Sequence, residues 1–220
     1  MSEQARYLVE KYVGLLLAYG YGAAGYMAIN YLYQPETSHT LWTSLDRAIP
    51  LVPGWSFLYN THFLMAFIVP FVVSDRLETR RAVSLIVLSN TLVFACFLLI
   101  PVHMERGPFE ALVRPSESWA HWWLGFSYFL DTPRTCFPSG HFTTVGVITT
   151  LCWRRNRRLG MAVGAYSLLI ALSTLFVKQH YLADVAGAGG VLVASVGLVY
   201  VWPQRAAAAA ERSDPEGLAA

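Results

Sequence analysis

Charge is what this sequence has least of. Only 14% of its 220 residues are Asp, Glu, Lys or Arg, where roughly a quarter is usual for a soluble domain. Those few are clustered, so no ordinary water-facing surface can be built from them. The net charge of +2 is too small to argue for nucleic acid, and no such partner is expected. Cysteine is scarce too: Cys96 and Cys152 lie in apolar runs and Cys136 in a loop. No disulfide or metal-ligand spacing links them, so they read as free thiols. A long internal repeat is also missing. What the chain has instead is apolar surface: 55% of residues are hydrophobic and mean hydropathy is +0.42. This is the composition of an integral membrane protein, with the bilayer as its surroundings.

Six apolar stretches can be counted, at Tyr12–Tyr33, Phe57–Ser74, Ala82–Pro101, Pro138–Trp153, Leu159–Val177 and Tyr181–Trp202. A helix needs about 20 residues to cross the hydrocarbon core, with a range of roughly 17–25. Four stretches meet this easily. The second carries His62 and Pro70, and the fourth is short. A short span is tolerated when its N-terminus begins inside a protein-lined cavity. The polar segment Met1–Lys11 leads into an apolar run that is long for a signal-peptide core and lacks a cleavage site, so the first span is expected to be retained. The expected fold is all-α: a polytopic six-transmembrane-helix bundle over residues 1–204. The Ala-rich, polar tail 205–220 is expected to be disordered.

The basic residues orient that bundle. Arg76, Arg80 and Arg81 follow the second stretch, and Arg154, Arg155, Arg157 and Arg158 follow the fourth. Both turns belong in the cytoplasm by the positive-inside rule. Both termini then lie there as well, in keeping with Arg6, Lys11 and Arg205. The loop Val102–Phe137 and the turn at Lys178 fall on the extracytoplasmic side of a plasma (inner) membrane, facing the outside or periplasm. Small residues recur every four positions at Gly14, Ala18 and Gly22, at Gly160 and Gly164, and at Ala186, Gly190 and Ala194. Such stripes let helices approach closely. Packing within one subunit is the plainer reading and a dimer seam the other, so the oligomeric state stays open. Ser116–Leu130, rich in Trp and Phe, reads as an interfacial helix or as a wall through which lipid enters.

Chemistry concentrates in three places. Cys136-Phe-Pro-Ser-Gly-His141 reads as a phosphate cradle opening a helix. Pro138 suits a first helical position, and Ser139 and Gly140 leave backbone donors at the positive helix end. His141 adds a group that exchanges protons near neutrality. The second place is Lys178-Gln-His180-Tyr-Leu-Ala-Asp184. Four residues apart on a helix, His180 and Asp184 would share a face, and a carboxylate on one imidazole nitrogen frees the other as nucleophile or base. A purely structural histidine is the alternative, weakened by the cost of ionisable groups in a membrane. The third is Pro101-Val-His103-Met-Glu105-Arg106-Gly107-Pro108, where Arg106 could fork onto phosphate oxygens or snorkel to headgroups. Arg134 is a further phosphate-binding candidate, and Arg114-Pro115 rivals Arg106. His39, His62 and His121 have no partner visible in sequence and read as structural.

With those elements placed, the chain resembles the type 2 phosphatidic acid phosphatase superfamily, whose signatures are Lys-x6-Arg-Pro, Pro-Ser-Gly-His and Ser-Arg-x5-His-x3-Asp. The middle one is complete as Pro138-Ser139-Gly140-His141. The third survives as Ser173-Thr174-x5-His180-x3-Asp184, with Thr174 in place of arginine. The first is degenerate: Gly107 separates Arg106 from Pro108, and Leu99 stands where the lysine would be. The lost arginine and the Asp131-Thr-Pro lead-in look similar to the branch of inositol phosphorylceramide and sphingomyelin synthases, and Lys178 is a candidate to replace the missing charge. The resemblance implies that His180, oriented by Asp184, attacks a lipid phosphate ester to form a phosphohistidine. His141 would serve as acid and then base, and Arg106, Lys178, Arg134, Ser139 and Gly140 would bind phosphate. It implies no metal and no cofactor. Water as acceptor makes the protein a lipid phosphatase; a lipid or polyol hydroxyl makes it a phosphotransferase. A non-catalytic carrier of anionic lipids explains His180 and Asp184 but not the cradle.

Overall fold

The structure, a computed structural model, describes residues 1–114 and 116–204. Among the described residues it is helical apart from one bridge pairing His39 with Val102. The first helix, α1, spans Glu3–Leu32, started by Ser2, whose side chain accepts the Ala5 N–H. A short α2 (Ser44–Ala48) follows in the loop. Next comes α3, Trp55–Val72, which tightens to a 3-10 turn at Ala66–Ile68. Pro70 lies just beyond, and its missing N–H withdraws a hydrogen bond from that turn. Asp75 then caps α4, Arg76–Leu99.

The short α5 is Gly107–Glu110. The aromatic segment forms α6, Trp119–Leu130, capped by Ser118. The last three helices are α7 (Gly140–Arg155), α8 (Arg157–Phe176) and α9 (Leu182–Gln204). The tail expected to be disordered, 205–220, lies outside the described residues.

Five helices are long and apolar enough to cross a membrane: α1, α3, α4, α8 and α9. Their outward faces carry apolar side chains, with Leu16, Phe71, Leu99 and Val193 all more than 70% exposed. In water such faces would be costly; toward lipid they are the expected surface. The sixth expected span corresponds to α7, which is not among the five. With 16 residues it is about 24 Å long, short of a core of roughly 30 Å. Pro138 and Ser139 do not extend it, and four threonines dilute its hydropathy. It can be this polar because α3, α4, α8 and α9 all pack against it. Val145, Ile148 and Leu151 of α7 join Val69, Leu85 and Ile170 in the main core.

Close packing follows the small residues in two of the three stripes. Gly14 and Gly22 of α1 face Val83 and Asn90 of α4, so that stripe is internal. Asn156 ends α7 and starts α8, accepting the Arg158 and Leu159 N–H groups at 2.8 and 3.2 Å. The hairpin is so tight that a Cβ on Gly160 would lie 2.4 Å from Trp153 Cα. Ala186, Gly190 and Ala194 instead face outward along α9.

The helix directions separate two ends. Arg76, Arg154 and Arg157 gather at one, where Glu78 holds Arg81 at 2.8 Å and Arg154 at 3.1 Å. Ser139, where α7 begins, and His180, between α8 and α9, lie at the other.

Candidate active site

The site forms where α7 begins, α8 ends and α9 begins. Ser139 is the N-cap of α7: its side chain accepts the Phe142 N–H at 3.2 Å. Gly140 is therefore the first helical residue, and Pro138 stands two positions earlier than expected. The Gly140 and His141 N–H groups have no acceptor within the helix, by its geometry. They open at the positive end of its dipole. Ser139 N–H also donates to the Asp184 carbonyl at 3.0 Å, which ties the cradle to α9. A Cβ on Gly187 would meet the Phe137 ring at 2.6 Å, so α9 can approach the cradle this closely only with glycine there.

His180 precedes α9 rather than lying on it, which corrects the expectation of one shared helix face. Asp184 is the third residue of α9, and its Oδ2 accepts the Tyr181 N–H at 2.8 Å. The same oxygen is 3.3 Å from His180 Nδ1. The turn before His180 is held by the Thr174 carbonyl, which accepts the Gln179 and His180 N–H groups at 2.9 and 3.3 Å. The Thr174 hydroxyl bonds back to the Ala171 carbonyl, so this position supplies no cation.

His141 Nδ1 and His180 Nε2 are 3.0 Å apart, and the two rings meet nearly edge to face. Cradle, histidines and Asp184 are thus brought together. Both rings are buried, at 8% and 4% exposure. Four residues without a sequence assignment complete the site. Tyr59 Oη lies 2.8 Å from His141 Nε2 and donates to Asp131 Oδ2 at 2.9 Å. Tyr26 donates to the other Asp131 oxygen. His62, read as structural, has its ring centroid 4.4 Å from that of His141. Only Asp131 had a signal, in the Asp131-Thr-Pro lead-in; Tyr26, Tyr59 and His62 are separated from the motifs by whole helices.

The cations are placed differently from one another. Arg106 is 2% exposed and donates through Nη1 to the Asp131 carbonyl and to Gln179 Oε1, each at 2.8 Å. Its Nε lies 3.4 Å from Glu110 Oε1, an ion pair outside hydrogen-bond geometry, and the Gln179 Nε2 is a buried donor with no acceptor. Lys178 lies at φ 54, a left-handed backbone uncommon for lysine. Its ammonium is held by the Asp46 and Ile49 carbonyls at 3.0 and 2.5 Å and sits over Phe109. Burial pushes that ammonium below its usual range, partly offset by Asp46. The ammonium that was a candidate to replace the missing charge thus already donates to two carbonyls. Arg134 is exposed and makes no hydrogen bond or ion pair among the described residues. Arg114 pairs with Glu117 at the surface. Of the rivals Arg106 and Arg114, Arg106 is the one that reaches the site.

Two other features adjoin the line. A cavity of about 310 Å³ between α1, α3, α4 and α7 reaches His141, Tyr59 and Asp131, and apolar side chains such as Met27, Val93 and Ile148 line most of it. On the opposite side, Cys136, His180 and Asp184 offer ligand atoms within 4.8 Å of one another. Burial, followed by the charges of Asp184 and Asp131, pushes the Cys136 thiol well above its ordinary range. A closed zinc site takes four ligands, and here two of three already bond each other.

Fold and site together define a helical membrane protein with a buried histidine–histidine–aspartate line at a helix mouth. The chain belongs to the PAP2 superfamily, whose model matches residues 32–199. Among curated proteins, none matches the chain.

Proposed function

We propose that the protein is a membrane lipid phosphate phosphatase working through a phosphohistidine. The observation that carries this is the unbroken line from Asp184 through His180 to His141, with contacts of 3.3 and 3.0 Å, at the start of α7. His180 Nε2 attacks phosphorus while Asp184 holds Nδ1–H. The phosphorus–oxygen bond breaks with its pair on the lipid oxygen, which takes a proton from His141 Nδ1. Water then attacks the phosphohistidine and returns a proton to His141, and the nitrogen–phosphorus pair goes back to His180. In-line transfer places the two nitrogens on opposite sides of phosphorus, roughly twice as far apart as they now stand, so the incoming phosphate parts the rings.

The unpaired Gln179 Nε2, beside an Arg106 whose Nε faces only the half-exposed Glu110, supports an anionic ligand, since buried donors want acceptors. With the Gly140 N–H and the Ser139 hydroxyl these two side chains would meet the phosphoryl oxygens. Lys178 contributes only as a fixed charge at the turn, and Arg134 stands apart. The apolar cavity beside His141 suits the chain of the lipid alcohol. We place residues 1–204 in one membrane domain, with α7 as the sixth, recessed crossing and the site on the extracytoplasmic side.

Transfer to a lipid or polyol hydroxyl is a second reading, favoured by Thr174 in place of arginine. One assay decides: purified protein with phosphatidate, phosphatidylglycerophosphate and isoprenyl diphosphates, with and without polyol or ceramide. Free phosphate supports hydrolysis, and a new phospholipid supports transfer. His180→Ala is expected to stop turnover in a folded protein, and full activity in that variant would end the phosphohistidine proposal.

A further inference from the structure

The side of His141 that faces away from His180 is built as fully as the side that faces it. Tyr59 gives its only proton to Asp131 Oδ2 at 2.9 Å, so toward His141 Nε2, 2.8 Å away, it can only accept. His141 must then carry a proton on Nε2. Asp131 accepts a tyrosine hydroxyl at each oxygen, from Tyr59 and from Tyr26, as an ionised carboxylate does. At the far end Asp184 Oδ2 accepts from the Tyr181 N–H and faces His180 Nδ1, which must carry a proton as well.

A proton count follows. The line Asp184, His180, His141, Tyr59, Asp131 contains four contacts and needs a proton in each. Two carboxylates, two neutral imidazoles and one phenol bring only three. The fourth lies between His141 Nδ1 and His180 Nε2, so the pair of histidines carries one positive charge between two carboxylates. Asp131 Oδ2 is itself 3.9 Å from His141 Nε2. Two other groups near His141 are bonded elsewhere. His62 turns its Nδ1–H to the Tyr59 carbonyl at 2.7 Å, and Arg106 bonds the Asp131 backbone rather than its carboxylate.

We propose that Asp131, acting through Tyr59, is a second orienting carboxylate that keeps His141 doubly protonated, with its Nδ1–H presented to the leaving oxygen. Asp184 does the opposite work, keeping His180 protonated on Nδ1 alone so that Nε2 can attack. When the lipid oxygen departs with the bonding pair, it takes the Nδ1 proton, and His141 stays neutral with Nε2–H still on Tyr59. Water restores the Nδ1 proton in the second half. Tyr59 and Asp131 are therefore positioning residues for the acid. This inference rests on the phosphohistidine reading above.

The test separates the acid from the nucleophile. Tyr59→Phe removes one hydroxyl and leaves the ring; Asp131→Asn is the second variant. Each is assayed with dodecyl phosphate, or with whichever lipid of the assay above is cleaved fastest, and with the bridging-sulfur analogue of the same ester. A thiolate leaves without needing a proton. Both variants are expected to lose about 10²-fold in kcat on the oxygen ester yet stay within about threefold of the parent on the sulfur ester, the pattern of a missing general acid. His141→Ala should release the thiol in one burst and then turn over slowly, because His141 is also the base for water, while His180→Ala should be inactive on both esters. Equal losses on the two esters, or no loss on the oxygen ester, would overturn the role of Tyr59 and Asp131. A parent protein that cleaves neither ester sinks the phosphohistidine reading, and this inference with it.

Discussion

Gln179 accepts from Arg106 Nη1, and its own buried Nε2 donor is still unpaired. A buried donor without an acceptor costs about 1–3 kcal/mol, a cost that a phosphoryl oxygen would remove. Gln179→Leu keeps the size of the side chain and loses the donor. It is expected to lower kcat/KM for the cleaved lipid by about tenfold, read by phosphate release, in line with a hydrogen bond to a charged group. An unchanged kcat/KM would mean that neither the Gln179 donor nor its hold on Arg106 matters to the ligand. Lys178 carries the matching lesson about what side-chain type leaves open. A lysine two residues from the proposed nucleophile looks like a phosphate ligand, but this one has its ammonium bound to two carbonyls.

Among the elements, the α7–α8 hairpin sets how the cradle is supported. Asn156 both ends one helix and caps the next, and losing such a cap costs about 1 kcal/mol. Gly160 is under a harder constraint, because a methyl there would strike the Trp153 backbone, and overpacking of this kind costs about 1–3 kcal/mol. Thermal unfolding in detergent should therefore rank Gly160→Ala below Asn156→Ala, and both below the parent. The reverse order would mean that the hairpin is looser than drawn. Helix starts are set locally by caps: Asp75 and Asn156 bond backbone N–H groups within three residues, and apolar stretches counted from Ala82 and Leu159 do not mark them. The start of α7 was misjudged by two residues, since Ser139, not Pro138, makes the bond that begins it.

For the whole molecule, the arginines around the turns before α4 and between α7 and α8 lie at the opposite end from the histidine line. The proposed sidedness rests on that separation and the positive-inside rule. Arg134 and Arg158 are exposed at the two ends. In intact cells a membrane-impermeant maleimide should label Arg134→Cys and leave Arg158→Cys unlabelled. Labelling only the second would put the site in the cytoplasm and reverse the proposed orientation.

The sequence by itself determined the membrane class, the main helices, the Ser-Gly-His cradle and the pairing of His180 with Asp184. Each of these depends on composition or on partners within a few residues, where backbone geometry leaves little choice. Only the tertiary structure decided which distant groups meet. His141 and His180 are 39 positions apart, Tyr59 and His141 82, and Tyr59 and Asp131 72. No local spacing encodes such contacts; they exist because α3, α4, α8 and α9 close around the short α7. The same closure turned Lys178 onto carbonyls, left Arg134 in the open and brought Arg106 inside. Side-chain type named the candidates, and packing in three dimensions chose among them.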